Sequence, residues 1–366
     1  MPQTSHWITR RLTHLDGVLL ALVLLLLGIS LAVVASASGQ SPARITGHLV
    51  NIGIALSLMV LMANVPPHLL SRVGPPLYVV GVVLLIGVAL FGEIRNGSRR
   101  WLNLGVVAFQ PSELMKLALP LMLAWYFQRN ETVLRARNFL IGGVMLLVPF
   151  FLILRQPDLG TALMIGASGF YLLFFAGLPW KVTFGGGALV AASLPVVWGL
   201  MHDYQQRRVL TLLNPSADPL GDGYHIIQST IAIGSGGLFG KGWMHGTQAQ
   251  LDFIPERTTD FIFAVFGEEF GYVGAVFLVG LYLAIVARGL VIATRAPTQF
   301  GRLMAATLSL NLFTYVFVNM GMVSGILPVV GVPLPLMSYG GTALVTLLLG
   351  VGILMSVAAH RQLNKS

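Results

Sequence analysis

The run VLLALVLLLLGISLAVV at residues 18–34 carries no charge, and Ser30 is its one polar side chain. A helix needs about twenty apolar residues to cross the hydrocarbon layer of a bilayer, and with its flanks this stretch predicts a crossing near 17–37. Working outward, nine further stretches read the same way, near 46–64, 74–92, 112–127, 138–154, 158–178, 183–200, 261–287, 303–323 and 341–359. With 366 residues, 55% hydrophobic, 10% charged and a mean hydropathy of +0.81, the chain is too apolar to hide its side chains in a soluble core. The expected fold is an all-α polytopic membrane protein of about ten transmembrane helices. It forms a single membrane domain over 1–366, in which 201–260 is a long outer loop between helices seven and eight.

Ala35-Ser36-Ala37 resembles a signal-peptidase site, but the apolar run before it exceeds the usual signal core of about 7–15 residues, so it reads as an uncleaved anchor. Ten spans put both termini on one side. Placing them inside gives twelve inner basic residues: Arg10, Arg11, Arg72, Arg129, Arg135, Arg137, Lys181, Arg288, Arg295, Arg302, Arg361 and Lys365. The short outer loops then hold five, Arg44, Arg95, Arg99, Arg100 and Arg155, as the positive-inside rule requires. The pI near 10.2 thus reflects anchoring at the inner face; no basic run interleaved with aromatics points to nucleic acid. The absence of cysteine excludes disulfides, thiolate metal sites and a cysteine nucleophile. The chain shows no internal repeat and no linker to a second domain.

Eleven of the thirteen carboxylates fall at the outer face or in the helix halves nearest it, and only Asp16 and Glu131 map to the other face. Charge within a bilayer is costly, so this one-sidedness points to ionic chemistry at one face rather than a uniform pore. The strongest candidate lies in Ile254-Pro255-Glu256-Arg257-Thr258-Thr259-Asp260-Phe261-Ile262-Phe263, where the polar loop enters the eighth span. A carboxylate at that depth is partly desolvated, which raises its pKa toward a value useful to a general base; alternatively Asp260 simply N-caps the helix. Glu113 and Lys116, three apart at the start of the fourth span, share a helical face as an ion pair that is either functional or structural.

Ahead of that pair, Arg99 and Arg100 with Trp101 offer guanidinium groups suited to phosphate, or to ordinary lipid headgroups. Asp158, in the short hairpin Arg155-Gln156-Pro157-Asp158, either orients a cation or base or caps its helix. A divalent ion, Mg or Mn, bound to pyrophosphate would want two or three oxygen ligands, and Asp158, Glu113 and Asp260 are the available set. The glycine-rich 234–242 fails as a nucleotide loop, with Ser235 where the first Gly should stand and Gly242 where Ser or Thr should be. It reads as flexible backbone that can approach a substrate. His202, His225 and His245 lack the local spacing of zinc ligands. The Pro- and Gly-rich stretch from Gly331 to Thr342 is broken backbone at membrane depth, expected to line an outer cavity or to serve as a tight loop.

Five ordered motifs together resemble the SEDS family, which polymerises bacterial cell wall. They are Arg99-Arg100-Trp101 with Gln110-Pro111-Ser112-Glu113; Gln156-Pro157-Asp158-Leu159-Gly160-Thr161; Gly221 to Gly246; Pro255-Glu256-Arg257 with Thr259-Asp260-Phe261; and Pro328 to Pro335 through Ser338-Tyr339-Gly340-Gly341. Thr258 departs from the pattern, since related sequences often have His there, which puts in doubt a proton-shuttling role for that neighbour. The resemblance implies a ten-helix peptidoglycan glycosyltransferase of the bacterial inner membrane. It would use lipid II and face the periplasm, with Asp260, Glu113 and Lys116 as catalytic residues and Arg99, Arg100, Asp158, Arg207, Arg208, Lys241 and Ser338 as substrate contacts. It also implies a class B penicillin-binding protein transpeptidase as partner, together with elongation-complex proteins such as MreC and MreD. The short N-terminus and the loop wording favour the elongation branch of the family over its division branch. The readings from other classes are a lipid II flippase, which would carry polar groups from one face to the other, and a non-catalytic scaffold.

Overall fold

The computed structural model describes residues 15–95, 98–103, 108–131, 135–201, 203–218 and 221–360. The basic residues Arg10, Arg11, Arg361 and Lys365, the dipeptide Asn96-Gly97 and His202 lie outside the described residues. Ten long helices fall on the ten expected crossings. They are α1 (Gly17–Ala37), α2 (Pro42–Ala63), α3 (Pro67–Phe91), α4 (Pro111–Arg129), α5 (Ala136–Leu154), α6 (Leu159–Phe175), α7 (Trp180–Leu200), α11 (Ile262–Arg295), α12 (Gln299–Val323) and α13 (Gly341–Ala359). Seven of these are, by length and composition alone, apolar enough to cross a membrane, and α6 is a shorter apolar helix. Glu113, Lys116 and Arg129 make α4 less apolar than its neighbours.

Between α7 and α11 the long loop folds into α8 (Asp203–Leu213), a 3-10 turn at Pro215–Ala217, α9 (Asp222–Ser235) and α10 (Thr247–Gln250). A small sheet, absent from the sequence reading, joins α3 to α4. In it β1 (Glu93–Arg95) pairs antiparallel with β2 (Ser98–Asn103), and β2 with β3 (Ala108–Phe109). The structure also starts α3 seven residues before the expected 74, because the helix runs through Pro75 and Pro76. Proline removes a backbone donor, yet membrane helices tolerate it where neighbours satisfy the freed carbonyl.

Two apolar cores organise the bundle. One joins α1, α2, α11, α12 and α13; the other joins α3 to α6 with part of α12. Lipid tails are as apolar as leucine, so helices associate here by close packing more than by escape from water. At Gly352 of α13 a Cβ would lie 2.6 Å from the Met59 carbonyl oxygen of α2, so the two backbones touch and no larger residue fits. By contrast α7 is exposed along nearly its whole length, meeting the rest mainly where Trp180 packs edge-on to Phe174. The two acids set apart by sequence also find partners. Asp16 accepts from Arg288 Nε at 3.0 Å and Nη2 at 2.5 Å, and Glu131 lies 4.0 Å from Arg302. Burial alone would push the Asp16 carboxyl up, but the Arg288 hydrogen bonds bring it below its ordinary range.

α11 is two helices joined at Gly271, whose φ of 65° and ψ of −164° belong to glycine alone. The glycine-rich segment fills the break. Tyr272 N–H donates to the Gly237 carbonyl at 2.9 Å and Val273 N–H to that of Leu238 at 3.0 Å, while Lys241 and Gly242 N–H donate to Glu268 and Glu269 carbonyls. Residues 234–242 therefore satisfy backbone exposed by a broken helix, which explains their glycines without a phosphate.

Candidate active site

Asp260 sits directly ahead of α11, and the residue in the cap position is Phe261, which makes no side-chain capping bond. The capping alternative is thereby corrected: the Asp260 carboxylate is not spent on helix N–H groups. Burial pushes its carboxyl up to about 6, Glu256 pushes in the same direction, and Arg208 opposes both. Part of the side chain still reaches solvent.

The backbone around Asp260 is pinned by the loop between α12 and α13. Asn319 Nδ2 donates to the Asp260 carbonyl at 2.8 Å and to the Val332 carbonyl at 2.7 Å. Ser338 Oγ donates to the Thr259 carbonyl at 2.6 Å, and Tyr339 N–H donates to the Thr258 carbonyl at 2.8 Å. Arg44, from the first turn of α2, donates to the Thr258 hydroxyl at 3.2 Å. Gly331, at φ 68°, faces the carboxylate, where a Cβ would meet Asp260 Oδ2 at 3.5 Å. Ser338, expected as a substrate contact, is thus a brace, its hydroxyl also accepting from Leu334 N–H at 2.8 Å.

The same loop borders a second feature. A cavity of about 790 Å³, counted out to its open mouth, lies between α4, α6, α12 and α13 and is closed on one side by Pro333 and Leu336. Its walls are mostly apolar, with Glu113, Lys116, Asn311 and Tyr315 among the polar exceptions. Lys116 Nζ lies 2.5 Å from Glu113 Oε1 and 5.3 Å from the Tyr315 ring centre. Glu113 Oε2 is buried without a hydrogen-bond partner among the described residues. The expected pair is therefore real, and it presents an unused acceptor in the wall of an apolar chamber.

Asp158 caps α6, accepting from Thr161 N–H at 3.1 Å, and receives Gln110 Nε2 at 3.4 Å. Among the described residues no three of His, Asp or Glu come together to hold a metal ion. Asp158, Glu113 and Asp260 hence do not assemble as the expected ligand set. One is engaged by a helix terminus, one by Lys116, and the third stands in the loop braced by Asn319 and Ser338. Lys241, expected to touch substrate, lies 2.7 Å from the fully buried Glu268 and donates to Thr247 Oγ1 at 2.8 Å. Arg208 does act on Asp260, whereas Arg207 is exposed on α8. Arg99 and Arg100 belong to β2, and their side chains lie outside the described residues. His225 stacks on Phe261 with ring centres 5.4 Å apart. Asn319, Tyr315 and Arg44 were missed as site residues; Asn319 is one of two asparagines, with Asn311, in the ninth apolar span, and that polarity was the available signal for the first.

This architecture defines a class: a multi-pass membrane protein with a carboxylate-centred site at one face and an apolar, charge-walled cavity beside it. The chain belongs to the FtsW/RodA/SpoVE family, described as cell cycle protein, whose model matches residues 16–363. It is 53% identical over 355 residues to the peptidoglycan glycosyltransferase MrdB of Escherichia coli K12, covering 96% of each chain. It is 36% identical to stage V sporulation protein E of Bacillus subtilis, covering 96% of this chain and 99% of that one. A chain from a solved peptidoglycan synthase complex that coordinates polymerization and crosslinking superposes with a TM-score of 0.82 at 36% identity, over 95% of this chain and 98% of that one. The crystal structure of the Thermus thermophilus rod shape determining protein RodA gives 0.72 at 31% identity, over 95% and 97%.

Proposed function

We propose that this chain is a peptidoglycan glycosyltransferase that polymerises lipid II for cell elongation. The carrying observation is Asp260: an uncapped carboxylate with its carboxyl pushed up to about 6, held by its backbone beside an apolar cavity. A base with that affinity is largely ionised at neutral pH and still accepts a proton readily. In this reading Asp260 takes the proton from the acceptor's GlcNAc 4-hydroxyl, and the oxygen forms a bond to MurNAc C1 of the growing strand. The bond from C1 to the phosphate oxygen breaks, and undecaprenyl pyrophosphate leaves. One displacement inverts C1 and gives a β-1,4 linkage. The cavity suits the polyprenyl chain, while Lys116 and Arg208 supply positive charge toward the leaving group.

The elongation role is supported by the 53% identity to MrdB and by the superposition on the rod shape determining protein RodA. A class B penicillin-binding protein transpeptidase as partner is supported by the superposition on a chain from a synthase complex; MreC and MreD belong to the same proposal. Both termini lie at the cytoplasmic face and Asp260 at the periplasmic face. A divalent cation would arrive on the pyrophosphate, since the carboxylates do not gather to hold one.

The test uses purified protein, fluorescent lipid II and Mg or Mn, with and without the cognate transpeptidase. A glycan ladder from wild type and none from Asp260→Ala supports the reading, and an EDTA arm reports on the cation. No ladder in any mixture, with lipid II crossing a liposome bilayer, would favour the flippase.

A further inference from the structure

The α1–α2 pair carries two polar groups inside the apolar bundle that the site does not explain. Ser30 and His48 are both fully buried, and they meet with Ser30 Oγ 2.8 Å from His48 Nε2. Ser30 Oγ also lies 2.8 Å from the Met337 carbonyl oxygen, 307 residues away in sequence. That carbonyl can only accept, so the single hydroxyl proton of Ser30 goes to it, and His48 must then be the donor to Ser30 from a protonated Nε2. The order His48 to Ser30 to Met337 is thereby fixed. His48 makes one further contact with the same loop, its ring centre standing 5.8 Å from that of Tyr339.

The loop they grip is the one that pins Asp260. Ser338 and Tyr339, next in sequence to Met337, donate to the carbonyls of Thr259 and Thr258. Leu334 N–H closes the turn onto Ser338 Oγ. Polar groups in the dry interior are costly unless they are satisfied; Ser30 Oγ and His48 Nε2 are satisfied through this chain of bonds, which holds one geometry, while His48 Nδ1 has no partner among the described residues. We propose that Ser30 and His48 are positioning residues of the glycosyl-transfer site, fixing the 334–339 loop so that it holds the Thr258–Asp260 backbone in reacting register. This inference rests on the reading of Asp260 as the base.

Two consequences separate a positioning role from bulk packing. First, the substitution His48→Gln can place an amide N–H near the position of Nε2, whereas His48→Leu fills the space without donating. Second, the loss should appear chiefly at the chemical step, because Ser338 and Tyr339 of this loop hold the Thr258–Asp260 backbone while Leu336 alone of residues 334–339 borders the cavity. The experiment compares wild type, Ser30→Ala, His48→Leu and His48→Gln in the lipid II polymerisation assay, and follows hydrogen exchange of peptides covering 256–262 and 332–341. Expected for His48→Leu and Ser30→Ala is a kcat lower by about tenfold with KM within about twofold, and faster exchange confined to those two peptides. His48→Gln should recover most of kcat and of the exchange protection. Wild-type kcat in His48→Leu would overturn the proposal, as would equal exchange in the His48→Leu and His48→Gln variants. Asp260→Asn with full activity would overturn the assignment of the base alone, since the exchange contrast between His48→Leu and His48→Gln does not depend on turnover.

Discussion

At the residue scale, Asp260 has two measurable consequences. Its carboxyl is raised from 3.8 to about 6, with burial as the first cause. Between those values the folded chain holds a proton that the unfolded chain has released, so stability falls as pH rises through that window and the full cost stands above it. Asp260→Asn should therefore stabilise the fold at pH 7.5 by on the order of 2 kcal/mol once partial solvent access is allowed for, seen as a higher Tm, and leave Tm unchanged near pH 3. The same substitution should cut polymerisation by about 10²-fold or more if the carboxylate is the base. For the wild type, kcat/KM should fall about tenfold per unit below pH 6. Arg208→Gln removes the opposing charge and should move that limb to higher pH, whereas Glu256→Gln should move it lower. Coincident limbs in the two variants would show that another group controls the profile.

Glu113 and Lys116 test a different residue-scale point. Removing one partner of a buried pair strands a charge, at a cost of roughly 3–5 kcal/mol, while replacing both with apolar residues costs less. In a double-substitution cycle read by thermal unfolding, Lys116→Met should destabilise more than Glu113→Leu combined with Lys116→Met. A functional pair adds the converse in activity: the double variant should be the stable one yet remain inactive. Recovery of polymerisation in the double variant would make the pair structural.

At the scale of elements, the break in α11 and the crossing loop do most to place the site. Gly271→Ala puts a Cβ 2.3 Å from Gly240 N in a backbone conformation reserved for glycine. Strain alone contributes about 1–3 kcal/mol, and the clash is with backbone that cannot swing away, so Tm should fall by several degrees or the chain should fail to accumulate. Gly280→Ala, with open space around it, is the matched control and should be neutral. The ten crossings were legible because continuous apolar runs report directly on bilayer thickness. Helix starts were read four residues late at α2 and seven late at α3, each of which begins at a proline ahead of the continuous apolar run. The β1–β2 hairpin was missed even though Asn96-Gly97 is the dipeptide such turns favour. Short strands beside a membrane helix carry too little periodicity to stand out. The ion pair at Glu113 was legible from its three-residue spacing, whereas the brace from Asn319 to Asp260 spans 59 residues and has no local signature.

At the scale of the whole molecule, sidedness is the property that separates an enzyme from a conduit, and the fold makes it measurable. Asp16 pairs with Arg288 at the start of α1 and within α11, and Glu131 approaches Arg302 at the end of α4 and the start of α12. Chain alternation puts all four at the face opposite Asp260. Basic residues concentrate at that face, and the positive-inside rule is the basis for the proposal that it is the cytoplasmic one. The chain has no cysteine, so single cysteines report position without background. Leu251 and Glu131 are both exposed, the first beside α10 in the long loop and the second just beyond α4. A membrane-impermeant maleimide added to intact spheroplasts should label Leu251→Cys and leave Glu131→Cys untouched until the membrane is opened. A flippase could share that topology, so the labelling is to be read with the acids: the described carboxylates of the site gather at the Leu251 face, and a path for a charged headgroup would need polar groups continuing to the other. Labelling of Glu131→Cys from outside would invert the molecule, place Asp260 in the cytoplasm, and remove the growing glycan strand from its reach.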